Sequence, residues 1–288
     1  MTKVTEAPNF SKWEAESFAL KYYGLAASAE ELPSERDQNF LITAADRRMY
    51  VLKIANAAED INILDLQNRA TRHLAGPDEP VPCPQVILSL ERREIESVRD
   101  SNGVSHYLRL VSYIPGVPLA KVNPQTSDLL QDFGRFIGRL AGRLKTFSHP
   151  AARRDMIWDM RTGRQTIRRC LEFMPDAGRR SLVEKFLCGF ESIPAAKIEA
   201  LETGVIHNDA NDYNVIISFP ETGKDNFGKR HVAGIINFGD MVHSYKLAEL
   251  AVACTYVRKI LWPRHRAWLP AAMPFSRSAS PRSSSFTR

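Results

Sequence analysis

The sequence predicts a two-lobed α+β protein, with a small antiparallel sheet and one internal helix in the first lobe and mostly helices in the second. Residues 1–111 are rich in short apolar and β-branched segments, whereas residues 117–262 carry long segments of helical periodicity around one pair of strands. A strand that ends at Pro115 and Gly116 separates the two regions, which makes residues 112–116 the expected hinge.

The first lobe begins with a predicted helix, because residues 11–24 carry apolar side chains such as Trp13 and Leu20 at helical spacing. The segments NFLITA and RMYVLKIAN have strand-forming composition and are joined by a polar turn, which is the pattern of a β-hairpin. The segment DINILDLQNRATRHLAG predicts a helix that ends at Gly76, since glycine favours the position after a helix. Two further strands are expected in PVPCPQVILSL and SHYLRLVSYI.

The second lobe opens with a long predicted helix in NPQTSDLLQDFGRFIGRLAGRLKTFSH, and residues 160–202 continue as helices with loops. The segment VIHNDANDYNVII then places a polar octet, residues 207–214, between two β-branched runs that are expected to pair with each other. A strand in HVAGIINF and a helix in YKLAELAVACTYVRKIL complete the pattern. A short polar loop between two buried strands is where folds present reactive groups, so the octet is the first candidate site.

Composition places the chain in the globular class. Apolar residues make up 44% and charged residues 25% of the sequence, and no segment reaches the ~18 apolar residues that cross a bilayer. The N-terminal segment MTKVTEAPNFSKWEAE has no apolar core of the kind found in secretory signals, so we expect a cytoplasmic protein without a membrane partner. The four cysteines lie far apart and have no metal-ligand spacing, which predicts reduced thiols.

The positive charge is concentrated at the C-terminal end. The whole chain carries +6, but the last 26 residues hold five arginines and neither lysine nor acid, which leaves +1 for residues 1–262. A nearly neutral body argues against a nucleic-acid partner. Residues 263–288, rich in serine, arginine and proline, are expected to form a disordered or aberrant tail. A shifted reading frame or a mis-joined exon is one hypothesis for its origin.

The octet has the spacing H-x-D-x4-N, formed by His207, Asp209 and Asn214. Asn237 follows Asn214 by 23 residues in the segment INFGD, and Lys53 lies mid-strand in YVLKIA. Together these residues resemble the protein-kinase signatures, which are a strand lysine, a catalytic loop and a metal-binding D-F-G segment.

A narrower resemblance covers roughly residues 10–260. The segments NFLITAADRRMYVLKIAN, LDLQNRATRHL, RLVSYIPGVPL, HNDANDYNVII and GIINFGDM follow the order and spacing of hydroxylysine kinase-like proteins of the aminoglycoside phosphotransferase superfamily. The resemblance implies a protein-kinase-like fold with a nucleotide-binding N-lobe and a helix-rich C-lobe, and the C-lobe is expected to be truncated here. It also implies transfer of the γ-phosphoryl group of GTP or ATP to a small amino-alcohol or amino acid, 5-hydroxy-L-lysine by resemblance, with Mg²⁺ as cofactor.

The resemblance gives each motif residue a role in phosphoryl transfer. Asp209 would accept or orient the proton of the acceptor hydroxyl, and His207 would brace the backbone of the loop. Lys53 would bind the α- and β-phosphates of the nucleotide. The remaining roles are ligation of Mg²⁺, recognition of the purine and orientation of the lysine. The ligands of Mg²⁺ would be Asn214, Asn237 and Asp240. The purine would be recognised by the backbone of Ser112, Tyr113 and Ile114, and the lysine would be oriented by Gln67.

Three positions depart from the family pattern. Asn237 stands where the pattern has aspartate, so Mg²⁺ should bind weakly, with Asp240 compensating in part. The helix after the lysine strand offers Gln67 or Asp65 in place of the glutamate that orients the lysine, and Gln67 fits the register better. Asn208 stands where the aminoglycoside branch usually has glycine, and asparagine also tolerates left-handed backbone angles.

Three functions stay open at the level of sequence. A small-molecule kinase is the leading interpretation, whereas Asn237 and the shortened lobe favour a catalytically impaired, nucleotide-binding protein. An aminoglycoside phosphotransferase would share the same catalytic residues. Lys53 alone is compatible with an exposed strand residue and His207 alone with a core histidine, so the octet and the INFGD segment carry the kinase interpretation.

Overall fold

The computed structural model describes residues 7–219 and 230–258, and these residues form two compact units. The first unit comprises the chain up to Pro115 together with the segment Gly234–Gly239, and the second comprises the rest. The chain passes from one unit to the other after Pro115, inside the stretch that the sequence predicts as a hinge. The predicted tail, residues 263–288, lies outside the described residues.

The first unit is a twisted antiparallel sheet with two helices. Its elements in chain order are α1 (Lys12–Tyr23), β1 (Ala27–Leu32), β2 (Gln38–Ala44), β3 (Met49–Ile54), α2 (Ile61–Leu74), β4 (Val86–Ile87), β5 (Glu96–Arg99) and β6 (Ser105–Ser112). The sheet has the order β1-β2-β3-β6-β4, and β5 pairs with β6 beside this path. The predicted hairpin is confirmed as β2 and β3, whereas β1 and β5 were not predicted because their polar residues hide the strand pattern.

One face of this sheet carries the apolar core. Phe40, Leu52 and Leu110, one from each central strand, are fully buried, and α1 packs against this face. Because side chains alternate along a strand, the neighbouring residues project to the opposite face. That second face carries Lys53 on β3 and Arg109 on β6, which are direct partners in the strand register.

The two helices of the first unit are confirmed, but two local expectations are wrong. Ser11 caps α1 through a reciprocal capping box with Glu14. The buried residues of this helix are Ala15, Ala19 and Tyr23, whereas Trp13 and Leu20, which carry its apolar pattern, are exposed. The narrow strip that faces the sheet holds mainly alanine, so the large side chains lie outside it. The second helix, α2, ends at Leu74 without the glycine C-cap that the sequence favoured, because its last turn continues in right-handed geometry.

The second unit is mainly helical and contains two small sheets. Its elements are β7 (Val117–Pro118), α3 (Ser127–Leu144), α4 (Gly163–Cys170), α5 (Ala177–Glu191), α6 (Ala195–Glu199), β8 (Thr203–Ile206), β9 (Val215–Ser218), β10 (His231–Ile235), β11 (Val242–Tyr245) and α7 (Leu247–Arg258). The chain returns to the first unit within β10. Thr126 caps α3, the longest described helix, and its apolar face supplies much of the core of this unit.

The strands on either side of the octet do not pair with each other, so the predicted hairpin is wrong. β8 pairs with β11, whereas β9 lies between β7 and β10 in a separate three-stranded sheet. The octet therefore connects two sheets. Gly116 stands beside this arrangement with a left-handed φ of 141°, where an added Cβ would clash with the carbonyl oxygen of Ile217 on β9.

Two of the compositional expectations can be compared with the described residues. No helix within residues 7–219 and 230–258 is long and apolar enough to cross a membrane. All four cysteines are free thiols, as predicted, with Cys83 buried and Cys170 and Cys188 exposed.

Candidate active site

The octet folds into a tight loop that is braced from inside. Asn208 adopts a left-handed conformation with φ 68°, which confirms that asparagine here substitutes for glycine in backbone geometry. His207 is completely buried, and its Nδ1 accepts a hydrogen bond of 3.3 Å from the backbone N–H of Asp209. This contact ties the imidazole of His207 to the loop at Asp209, and the bracing role of His207 stays a prediction.

The carboxylate of Asp209 is held by two amide side chains of the same loop. Its Oδ1 accepts from Asn211 Nδ2 at 2.8 Å, and its Oδ2 accepts from Asn214 Nδ2 at 2.6 Å. Asn214 Nδ2 also donates to the backbone carbonyl of Asp209, and Asn211 Oδ1 accepts from the backbone of Tyr213 and Asn214. The half-buried carboxylate is therefore held in one orientation by the loop.

The amide oxygen of Asn214 points to the role that the sequence assigned to this residue. Since the amide nitrogen of Asn214 serves Asp209, the oxygen Oδ1 is the atom of this side chain with the right chemistry to ligate a cation. The loop thus brings together the predicted base and one predicted metal ligand. Asn211, for which no required role was predicted, is a third member of this network.

Glu249 on α7 anchors the octet from behind and was not predicted. It is buried, and its Oε2 accepts hydrogen bonds from the backbone N–H groups of His207 at 2.6 Å and Asn208 at 3.4 Å. Its other oxygen, Oε1, has no hydrogen-bond partner in the described part of the chain. The signal in the sequence was an acid inside the apolar run LAELAVA, a pattern that costs stability unless the acid has a specific task.

The protonation of Glu249 is displaced towards neutral pH. Burial raises the pKa of the Glu249 carboxyl from 4.5 to about 7, and the nearby charge of Asp209 acts in the same direction. The two backbone hydrogen bonds act in the opposite direction, because they stabilise the ionised form. The loop is therefore attached to a group that titrates in the physiological range.

Lys53 lies on the second face of the first unit's sheet, as its alternation with Leu52 and Ile54 predicts. It is half-buried, and within the described residues its ammonium group makes no hydrogen bond or ion pair. Burial and the neighbouring guanidinium of Arg109 lower the pKa of Lys53 to about 8, while the charge of Asp37 acts against them. A desolvated cation without a partner is suited to binding an anion.

Gln67 does not orient Lys53 as expected. Its Oε1 accepts a hydrogen bond of 2.8 Å from Nη2 of Arg109, and the adjacent Asn68 accepts one of 2.7 Å from Nη1. Asp65, the other candidate, is paired with Arg69 on the outer side of α2. The helix that should hold the lysine therefore holds an arginine, because Arg109 has a planar donor group that reaches both amide oxygens.

Two of the three backbone amides expected to recognise the purine are already engaged. The N–H of Ser112 donates to Gln85 at 2.8 Å, and that of Tyr113 donates to Met49 at 3.4 Å. The N–H of Ile114 has no such partner among the described residues. Of this predicted group, Ile114 is thus the residue whose amide is available to a ligand.

The remaining predicted metal ligands lie in the segment INFGD. Asn237 belongs to the first unit, is exposed and has a left-handed φ of 62°, whereas Asp240 is half-buried and belongs to the second unit. No group of three or more His, Cys, Asp or Glu side chains in residues 7–219 and 230–258 is arranged to hold a metal ion. A metal site here would thus depend on amide oxygens.

Comparisons with known proteins agree with the resemblance in the sequence. A family model described as a phosphotransferase enzyme family, APH, matches residues 28–272, ten residues beyond the predicted end of the second lobe. Hydroxylysine kinase of Mus musculus is 26% identical over 271 residues, covering 89% of this chain and 71% of the relative. Hydroxylysine kinase of Danio rerio is 27% identical, covering 89% and 73% respectively.

Solved structures share the fold at low sequence identity. An amicoumacin kinase in complex with AMP-PNP and Ca²⁺ has a TM-score of 0.64 and 14% identity, covering 91% of this chain and 77% of that structure. A microcompartment-associated aminopropanol kinase has a TM-score of 0.61 and 16% identity, covering 94% and 82%. The fold is thus protein-kinase-like, as predicted. Because the family model covers most of its length, the chain belongs to the phosphotransferase enzyme family APH and is a phosphotransferase with an alcohol group as acceptor.

Proposed function

We propose that the protein transfers the γ-phosphoryl group of ATP or GTP to the hydroxyl group of a small amino-alcohol or hydroxylated amino acid, with 5-hydroxy-L-lysine as the first candidate acceptor. The observation that carries the proposal is the Asp209 loop, in which a carboxylate is oriented by Asn211 and Asn214 within a chain of this family. The relatives named hydroxylysine kinase support the choice of acceptor, and the aminopropanol kinase fold supports its chemical class.

Asp209 would act on the acceptor hydroxyl by orientation and by accepting its proton. Both of its oxygens accept an amide hydrogen bond, and a carboxylate oxygen can accept more than one hydrogen bond at a time. A hydroxyl held there points its own oxygen at the phosphoryl group, so most of the gain comes from positioning. Lys53 would supply the positive charge for the α- and β-phosphates, and Ile114 would offer its amide to the purine.

The chain's oxygen groups fit a hard cation, although weakly. The amide oxygens of Asn214 and Asn237 and the carboxylate of Asp240 are ligand types that Mg²⁺ accepts, and they bring only one formal charge. When bound, Mg²⁺ would neutralise charge on the phosphate oxygens. The low charge count favours a second candidate function, a nucleotide-binding protein with impaired turnover.

A phosphotransfer assay separates these functions. Purified protein is incubated with ATP or GTP, Mg²⁺ and one acceptor at a time, namely 5-hydroxylysine, ethanolamine or kanamycin, and the nucleoside diphosphate formed is measured. Turnover with 5-hydroxylysine well above that with kanamycin supports the proposal, and the reverse order identifies an aminoglycoside kinase. Nucleotide-induced stabilisation in a thermal-shift assay without turnover of any acceptor identifies the impaired protein.

Asn237→Asp is expected to tighten Mg²⁺ binding, so that phosphotransfer needs a lower Mg²⁺ concentration. The variant adds a carboxylate at a position where aspartate tolerates the observed left-handed backbone. Because residue 237 is exposed, solvent screens the added charge. The Mg²⁺ concentration at the midpoint should therefore fall by about threefold or more. The measurement is a Mg²⁺ titration of phosphotransfer, or of the nucleotide-induced shift in melting temperature, for both proteins.

Asn102→Asp is a matched control, since it makes the same change at an exposed residue of the turn before β6. An equal fall in the midpoint concentration of this control would show that the effect at residue 237 comes from net charge alone. A higher Mg²⁺ midpoint concentration in Asn237→Asp would show that residue 237 is not a metal ligand.

Lys53→Met is expected to weaken nucleotide binding by about tenfold or more while leaving the melting temperature unchanged or raised. The reason is that Lys53 forms no hydrogen bond or ion pair with the described residues and is desolvated beside another cation, so its charge stabilises no contact in the free protein. Titration with a fluorescent ATP analogue measures the first effect and thermal unfolding the second. Lys12→Met, at an exposed position of α1, should change neither. Unaltered affinity in Lys53→Met would show that Lys53 is only a strand residue.

A further inference from the structure

The second face of the first unit's sheet carries a row of three polar residues. Asn39 on β2, Lys53 on β3 and Arg109 on β6 are successive register partners, so their side chains project side by side. Direct partners in antiparallel strands have Cβ atoms about 5 Å apart. Two positive charges and one amide thus share a strip of the sheet, next to α2.

Neither cation of this row has an acidic partner in direct contact. Arg109 is buried, and its three hydrogen bonds go to neutral acceptors, which are Gln67 and Asn68 at 2.8 and 2.7 Å and the carbonyl of Leu64 at 3.3 Å. No ion pair involves Lys53 or Arg109 within the described residues.

The acids that influence the row act from a distance. Asp37, whose Oδ1 is engaged by the backbone N–H of Asn56 at 3.1 Å, influences both cations, and Glu59 influences Arg109. Tyr23 is a further titratable group that influences Arg109. The row itself therefore holds two cations and no acid.

An unsatisfied acceptor completes the row. The Oδ1 atom of Asn39 is buried and has no hydrogen-bond partner in the described residues, although its side chain lies next to Lys53 in the register. Burial of an acceptor without a hydrogen bond, and of two cations without an acidic partner, is costly unless a bound group offsets it. An anion that lies against Lys53 would offset the positive charge of the two cations.

We propose that Arg109 is a positioning residue of the nucleotide phosphate site, which fixes α2 through Gln67 and Asn68 and keeps the strip beside Lys53 positively charged for the nucleotide polyphosphate. This inference rests on the proposed function, since it assumes that Lys53 meets the phosphates. Arg109 itself has little exposed surface, so it acts through the helix and through its field on Lys53. Gln67 then binds the guanidinium of Arg109 without cancelling its positive charge, which a glutamate at this position would do.

The decisive variant is Gln67→Glu, for which two interpretations predict opposite signs. If Gln67 is a weakened substitute for an acid that orients Lys53, the glutamate should tighten nucleotide binding. If it serves Arg109, the new carboxylate pairs with the guanidinium and lowers the positive potential. Affinity for a fluorescent ATP analogue with Mg²⁺ should then fall about three- to tenfold. The substitution is nearly isosteric, and a glutamate–arginine pair retains the link to α2, so the fold should survive.

A second readout separates charge from structure. Because the pKa of Lys53 is about 8, nucleotide affinity of the parent should decline as pH rises through that region. Arg109→Met removes the neighbouring cation and should move this decline to higher pH by about half a unit or more. A purely structural role for Arg109 would lower affinity at every pH without moving the midpoint. Arg69→Met, which removes an exposed cation from the same helix, is the control and should leave both quantities unchanged.

The outcomes decide the inference even if Arg109→Met does not fold, because Gln67→Glu is then sufficient. Weaker binding in Gln67→Glu, together with an alkaline shift in any folded Arg109→Met, supports the inference. Tighter or unchanged binding in Gln67→Glu overturns it, and so does an unmoved midpoint in Arg109→Met. If the parent protein binds no nucleotide, the proposed function and this inference both fail. If the parent binds nucleotide and the variants bind it equally well, the inference alone fails.

Discussion

Asp209→Asn should abolish most turnover, with a loss of about 10²–10⁴-fold in rate at saturating nucleotide and acceptor. An amide cannot accept the proton of the acceptor hydroxyl. It also places an N–H₂ donor against one of the two amide donors, Asn211 or Asn214, that now bind the Asp209 carboxylate. For the second reason we also expect a small loss of stability, about 1 kcal/mol. The measurements are steady-state phosphotransfer and thermal unfolding of both proteins.

Asp128→Asn is the matched control for this variant, since Asp128 is an exposed residue in the first turn of α3 and undergoes the same chemical change. Its rate should equal that of the parent. Nucleotide binding by Asp209→Asn should also persist, because the substitution alters the acceptor side of the reaction. Turnover of Asp209→Asn within a few fold of the parent would refute the catalytic role.

Glu249→Ala should destabilise the protein by about 3 kcal/mol and remove activity with it. The truncation leaves the backbone N–H groups of His207 and Asn208 without their acceptor in a buried place and creates a small cavity. Each unsatisfied buried donor costs about 1–3 kcal/mol, and the cavity adds to that cost. Chemical denaturation monitored by circular dichroism measures the effect, and Glu184→Ala on the exposed side of α5 is a control that should cost little.

Glu249→Gln tests the ionisation of the same group. Since burial raises the pKa of Glu249 from 4.5 to about 7, the unfolded chain releases this proton at lower pH than the folded protein does. The contribution of Glu249 therefore makes stability fall as pH rises from about 4.5 to about 7, and the fall levels off above that range. The total loss is up to about 3 kcal/mol, at ~1.4 kcal/mol per unit.

Glutamine does not ionise, so the stability of Glu249→Gln relative to the parent should grow across this pH window. Its side-chain oxygen can still accept from the loop, and turnover at neutral pH should stay within a few fold. Melting temperatures of the two proteins between pH 5 and 8 measure the difference. Parallel curves would mean that Glu249 does not titrate in this range.

Several elements were predictable because their signals are local. The β2–β3 hairpin follows from two strand-forming runs around a polar turn, and α2 follows from its apolar periodicity. The left-handed backbone of Asn208 and the bracing contact of His207 were also expected, since the octet belongs to a recognisable family pattern. In each case the residues that determine the outcome are close together in the chain.

Other expectations failed because they depended on distant partners. The strands around the octet were expected to pair, but β8 found β11 and β9 found β7 and β10. The same limit applies to α1, where the exposure of Trp13 depends on which strip of the helix meets the sheet. Sequence periodicity locates an apolar face but does not say which neighbour covers it.

The sequence by itself determined the family and the lysine strand, and it located the octet, because these depend on residue type and spacing. Only the tertiary structure decided that Gln67 holds Arg109, that Glu249 reaches the backbone of the octet, and that Lys53 stands beside a second cation. These contacts join residues about 40 or more positions apart in the chain. Their energies arise from burial, which removes water from charged groups and makes the choice of partner decisive, and burial is a property of the folded chain alone.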